Sequence, residues 1–210
     1  DAIKEAEKQM YRRKLIDGKS YRGVVINALM ATLFAKSAET EEHAERLKNY
    51  CLAMGKEMGL PANEMDELAL LGMLHDIGKV GVKESILQKP GPLAPEEWED
   101  VKKHPEIGYR IAQNIPELLP IAEYILYHHE RWDGKGYPHG LKGEEIPLPC
   151  RILAVADAYD AMTNDRAYRK ALTMEEAIKE IVNNRGTQFD PVVADIFLKL
   201  VTDPAHTGFP

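Results

Sequence analysis

Cysteine is nearly absent: Cys51 and Cys150 are the two in 210 residues. Their spacing fits neither a zinc motif nor a disulfide framework. They read as small buried apolar residues of a protein in a reducing cytoplasm. Long apolar runs are missing too, and nothing approaches the roughly 20 residues that cross a bilayer. The N-terminal stretch DAIKEAEKQMYRRK is charged with no apolar segment behind it, so it reads as neither a signal peptide nor an anchor. The first residue is Asp1 rather than Met, as expected of a piece of something longer. Excess positive charge is also lacking: the net charge is −7. An acidic surface gives no general attraction to nucleic acid, so long DNA or RNA is not an expected partner. Nor do Val and Ile alternate over the length of a strand.

What is present is helical periodicity. Ile3, Ala6, Met10 and Tyr11 mark a first helix over about 1–16, ended by Gly18. Further helices are expected over about 21–37 and 40–58, the latter stopped by Gly59 and Pro61. Asn63, with Asp66 three residues on, reads as the cap of a helix carrying Leu68, Leu71 and Leu74 into His75. Lys89-Pro90-Gly91-Pro92 is a rigid turn, and Pro95 suits the first turn of the next helix. Others follow over about 116–130, 150–164, 174–184 and 191–201, with a Thr173/Glu176 capping box. A Gly- and Pro-rich insert fills 131–149. The fold expected is all-α, a helical bundle.

Seven histidines stand in unequal settings. Glu39 and His43 are four apart and share a helix face, so they could grip one metal ion. His75 and Asp76 are adjacent, and helix neighbours diverge by roughly 100°, so both reach one site only where the helix end points into it. Lys79 lies one turn beyond His75 on the same side. His104 precedes Pro105, and His128-His129-Glu130 begins HHERWDGKGYP. Asp157 lies among Ala154, Val155, Ala156 and Ala158, where burial is costly unless the carboxylate is paired or metal-bound. A lone histidine is most often structural. This combination in one short chain is harder to explain that way. His139 and His206 lack such company and read as ordinary loop residues.

The strings HDIGK and HHERWDGKGYP, with His43-x-x-Arg46, HPEIG and ADAYDAMTNDRAYRKAL in the same order, resemble the HD-GYP family of HD metal-dependent phosphohydrolases over about 21–201. A bare HD pair would carry little weight; the ordered set is specific. Separately, A-x-x-x-M-Y-x-x-K at Ala6, Met10, Tyr11 and Lys14 resembles the last helix of a GGDEF domain. The expected division is therefore 1–19, a GGDEF remnant, and 20–210, the hydrolase domain, with the rest of a GGDEF domain in cis.

The resemblance implies that His43, His75, Asp76, His104, His128, His129 and Asp157 ligate metal, with Asp76 bridging two ions. Glu39 resembles the extra carboxylate of a three-metal subset. Mixed carboxylate and imidazole ligation suits iron first and manganese as the alternative. The implied reaction is hydrolysis of cyclic di-GMP to linear pGpG and onward to GMP, through a hydroxide bridging the ions. Asp76 and Lys79 would be its catalytic residues. Lys79 would approach the scissile phosphate, Arg166 and Arg169 would hold the other phosphate, and Tyr137 would meet a guanine or merely pack in its turn. Arg46 reads as support for the ligands. Two other readings stay open: a different cyclic nucleotide as substrate, and a module that senses a cyclic dinucleotide or metal without turning it over. A dimer is left open.

Overall fold

Ten α-helices and three short 3-10 turns make up the regular structure of a computed structural model that describes residues 21–37, 40–165 and 170–203. The helices are α1 (Tyr21–Lys36), α2 (Glu41–Glu57), α3 (Ala62–Leu74), α4 (Glu84–Leu87), α5 (Pro95–Val101), α6 (His104–Gln113), α7 (Ala122–Tyr127), α8 (Leu148–Thr163), α9 (Met174–Asn183) and α10 (Pro191–Thr202). No strand occurs among the described residues, only isolated backbone bridges at Asp133–Lys142 and Arg185–Phe189. The all-α bundle expected from periodicity is what forms. The expected first helix over 1–16 lies outside the described residues, as do Glu39, Arg166, Arg169 and His206.

The stripes that form the core are also the stripes that deliver the site. On α2, His43, Leu47, Tyr50 and Met54 share one buried face at helical spacing. On α3, Leu68, Leu71 and Leu74 are fully buried, and His75 follows as the helix C-cap. α8 lies across both and buries Ile152, Val155, Ala156, Tyr159 and Asp160. Below them α10 inserts Phe197 against Tyr50 and Tyr159, with ring centroids 6.1 and 4.9 Å apart. Full burial of such side chains stabilises by about 1.5–3 kcal/mol each. The site thus stands on well-packed helices.

Caps set several boundaries. Thr40 Oγ1 accepts the His43 backbone N–H at 3.2 Å and starts α2. The Thr173/Glu176 capping box is present, with bonds of 3.2 and 2.9 Å. Two boundaries differ from expectation. Asn63 is not the cap of α3: the helix begins at Ala62 behind Pro61, which already supplies the extended conformation a cap residue needs. The helix expected over 116–130 is reduced to a 3-10 turn (Leu119–Ile121) and α7. Pro120 has no N–H to donate, and its ring would clash with the Pro116 carbonyl in a continuous helix.

Candidate metal centre

Adjacent residues reach one centre here because the helices end there. α3 stops at His75, and the chain passes through Asp76 into the 3-10 turn Ile77–Gly81. α7 stops at Tyr127, so His128 and His129 lie in the turn beyond it, free of helical divergence. Close backbone approach brings His104 in from α6. A Cβ on Gly78 would sit 1.8 Å from the His104 carbonyl oxygen, and one on Gly108 would sit 2.7 Å from Ile125. The glycines of HDIGK and HPEIG therefore let the 3-10 turn meet α6 at backbone contact and seat the Ile125 side chain of α7 directly on α6.

Two groups of side chains result, each with ligand atoms within 4.8 Å of one another: Asp76, His104, His128 and His129 in one, and His43, His75 and Asp157 in the other. Asp76 faces both. Its Oδ1 lies 3.0 Å from His104 Nε2, and its Oδ2 lies 3.3 Å from His75 Nε2. Lys79 Nζ sits 2.6 Å from the same Oδ2.

Backbone carbonyls fix the tautomers. His104 Nδ1–H donates to Val101 O at 2.7 Å and His128 Nδ1–H to Ile125 O at 2.6 Å. Both Nε2 atoms are then lone-pair donors, and they stand 3.2 Å apart. Asp76 Oδ1 beside them is buried without a hydrogen-bond donor. Three electron-pair donors facing one another with no proton between them are repulsive, and a buried polar atom left unpaired is costly. A cation at their meeting point resolves both problems. The donor set, nitrogen and carboxylate oxygen, suits a transition metal.

In the second group an unexpected residue sets the geometry. Asp160 Oδ2 accepts His43 Nδ1–H at 2.6 Å, turning His43 Nε2 toward Asp157, 3.9 Å away. Arg46 holds Asp160 in turn, through Nε at 2.5 Å and Nη2 at 3.0 Å. Arg46 braces His43, but through Asp160, which the sequence reading passed over. It also corrects the reading of Asp157: its side chain is 32% exposed, whereas Asp160 is 2% exposed. The available signal was the pair of acids three apart in DAYD, which share a helix face.

Charge follows the same layout. Burial first, then His129 and His104, push His128 well below the usual histidine range. Burial and His104 lower His129 to about 3. Burial would lower His75 as well, but the Asp76 carboxylate outweighs it and the net shift is upward. Burial would raise Asp76, yet Lys79 and His75 hold it well below the carboxylate range. The centre is a buried anion beside two imidazoles, His128 and His129, whose surroundings favour the neutral form that metal ligation requires.

The 131–149 insert closes one side. Its register is set by Asp133 N–H to Thr187 O at 2.8 Å and by Glu130, whose Oε1 accepts the His139 and Gly140 N–H groups at 2.7 and 3.0 Å. Gly136 is packed so that a Cβ would meet the Arg131 nitrogen at 2.4 Å. Tyr137 then stacks on His129, with centroids 4.8 Å apart and planes 29° apart, and meets Trp98 edge-on at 6.4 Å. Of the expected site residues, those within the described part lie at this centre, Lys79 and Tyr137 included.

An all-α bundle that gathers histidines and an HD pair in this manner defines the HD-domain class. Residues 27–193 match the HD domain family, and the chain belongs to it. The cyclic di-GMP phosphodiesterase of Thermotoga maritima is 46% identical over 167 residues, 79% of this chain and 45% of that protein. The 3′3′-cGAMP-specific phosphodiesterase 2 of Vibrio cholerae is 38% identical over 167 residues, 79% of this chain and 32% of that one. The chain thus spans less than half the length of these relatives. In fold, it matches a cyclic GMP-AMP specific phosphodiesterase of V. cholerae with a TM-score of 0.69 at 21% identity, over 88% of this chain and 50% of that one. The HD-GYP resemblance read from the motifs is borne out. No described helix is long and apolar enough to cross a membrane.

Proposed function

We propose that this chain is a metal-dependent phosphodiesterase that hydrolyses cyclic di-GMP to linear pGpG and onward to GMP. The observation that carries this reading is the convergence of His104 and His128 lone pairs on the orphaned Asp76 Oδ1, beside a second imidazole–carboxylate group. His104, His128, His129 and Asp76 would hold one ion; His43, His75 and Asp157, with Asp76 shared, would hold another. Iron suits these donors best, with manganese the alternative. Such ions supply a water-derived nucleophile near neutral pH and neutralise charge on the phosphate.

The chain's own groups do the rest. The carbonyls of Val101 and Ile125 and the Asp160 carboxylate keep His104, His128 and His43 in the ligating tautomer. Lys79, 2.6 Å from Asp76, presents an ammonium where a phosphate oxygen would arrive. Its charge stabilises that oxygen as the P–O3′ bond breaks. Tyr137 covers His129 and excludes water from that side. Arg166 and Arg169 are assigned the second phosphate, and Glu39 a third ion with His43. A soluble nucleotide as substrate and two buried free thiols support a cytoplasmic setting for this activity.

The test is to load the chain anaerobically with Fe or Mn, add cyclic di-GMP and separate the products by chromatography. Linear product is expected, and its absence with both metals would favour a sensing module. Asp76→Ala should lose activity and bound metal with the helical circular dichroism kept. Glu39→Ala should lower the metal count by one; an unchanged count discards the third ion. Because one relative is named for 3′3′-cGAMP, that nucleotide belongs in the same assay.

A further inference from the structure

Next to the metal centre lies a cavity of about 630 Å³ that the catalytic residues do not fill. Lys79 is one of its lining residues and also bonds Asp76, so it belongs to both spaces. Ile86, Leu93 and Val101 form apolar walls, and Lys89 and Trp98 stand at the side. Trp98 is conspicuous. Its side chain is 46% exposed, on a seven-residue helix with no buried residue, so it contributes little to the core. It nonetheless stands edge-on to Tyr137, which stacks on His129. An indole held beside a metal centre by ring-to-ring contacts, without serving the core, is a surface prepared for a flat ligand.

Charge narrows the ligand class. On a chain of net charge −7, this cavity is lined by two lysines and no carboxylate. Lys89 is itself paired with Glu97 at 2.6 Å. Apolar walls, an indole and ammonium groups suit a flat aromatic body attached to an anion. The lining has no amide or carboxylate side chain to read a base edge, so recognition by stacking would tolerate any purine.

We propose that this cavity receives one purine-nucleotide half of the cyclic dinucleotide, with Trp98 as the stacking platform and Lys79 joining it to the phosphate at the metals. The assignment rests on the phosphodiesterase reading above and adds a substrate-binding residue to it. Guanine and adenine are accepted alike at this position, so base preference is decided at the other half of the ligand.

Two measurements test it. In the Trp132→Phe variant Trp98 is the one remaining indole, and its fluorescence is followed while GMP, AMP or ribose 5-phosphate is added. Saturable quenching by both purine nucleotides and none by the sugar phosphate is expected. In steady-state assays, Trp98→Ala should raise KM for cyclic di-GMP roughly ten- to a hundred-fold, the usual range for a lost base–aromatic stack. Its kcat should stay within about two-fold, because the lost contact is made equally in ground and transition states. Metal content should not change, and Trp98→Phe should recover most of the affinity. An unchanged KM in Trp98→Ala, or turnover without quenching, overturns the assignment while leaving the hydrolase reading intact. Quenching without turnover does the reverse: the cavity stands and the hydrolase reading falls.

Discussion

Removing Asp160 should disable a metal site that the residue does not itself ligate. The carboxylate is 2% exposed and accepts three bonds from cationic or imidazole donors: His43 Nδ1, Arg46 Nε and Arg46 Nη2. Asn164 Nδ2 adds a fourth at 3.1 Å. In Asp160→Ala, the half-buried Arg46 guanidinium loses its counter-charge, and breaking such a pair costs about 3–5 kcal/mol. That is a large share of the roughly 5–15 kcal/mol that holds a domain folded. Asp160→Asn is the more informative change. The amide keeps the volume, but its NH2 must face either His43 or Arg46, both of which are donors. We expect a loss of about 1–3 kcal/mol in stability and of roughly ten- to a hundred-fold in metal affinity. Urea unfolding gives the first number and competition against a chelator the second. If Asp160 acts by orienting His43, its effect on metal affinity should largely vanish in a His43→Ala background, as a double-mutant cycle would show. Full additivity of the two substitutions, or wild-type metal affinity in Asp160→Asn, would refute the reasoning.

Glu130 should tolerate Gln but not Ala. Its Oε1 holds the His139 and Gly140 N–H groups, while Oε2 is buried without a partner, so an amide keeps the useful half; activity near wild type in Glu130→Ala would show that the loop holds itself. For the metal-free chain, His128 and His129 should make stability fall as pH drops below about 6.5. His129 and His128 have lowered folded pKa values, so their protonation favours the unfolded state from about pH 6.5 downward, toward about 3 for His129, by up to about 1.4 kcal/mol per pH unit each. His75 is shifted upward, so its contribution is complete below about pH 6.5 and is lost as pH rises through its folded value. A urea midpoint that stays flat from pH 6.5 to 4.5 would contradict this assignment. Metal should stabilise the fold: at a hundred times Kd the gain is about 2.7 kcal/mol, or roughly 5–10 °C in Tm for a domain of this size. Calorimetry before and after chelation measures it, and an unchanged Tm would argue against ions at these residues.

The helices were legible because burial imposes a period on sequence. Leu68, Leu71 and Leu74 announce their face without knowledge of what covers it. The break at Pro120 was legible in principle, since a proline inside an expected helix should divide it. The histidines and Asp76 could be named from motif order, but their division into two groups could not. His43, His75 and Asp157 come from α2, the end of α3 and α8, and only tertiary packing brings them within reach. Asp160 shows the limit most clearly. Nothing local distinguishes it from Asp157 three residues earlier, and what decides is the direction from which His43 and Arg46 approach α8. Trp98 escaped notice for the opposite reason. A tryptophan in a helix suggests core, and only its exposure reveals another use.

A site of this kind puts binding ahead of stability. The His104 and His128 lone pairs meet 3.2 Å apart because two carbonyls and two glycine contacts leave the rings no alternative. Flexible residues would relax apart, and a cation would then have to pull them together at an entropic cost. Here that cost is met during folding by the packing of α3, α6 and α7. It explains why the motifs are rich in glycine: Gly78, Gly108 and Gly136 contribute no chemistry, yet a methyl group would collide with the His104 backbone, the Ile125 side chain and the His129 backbone respectively. The same logic explains why Asp160, Glu130 and the carbonyls of Val101 and Ile125 surround the ligands. Each occupies the far side of an imidazole or a loop, so that the near side has a single orientation left. The chemistry of the centre therefore belongs to the backbone geometry of three helix ends as much as to the histidines themselves.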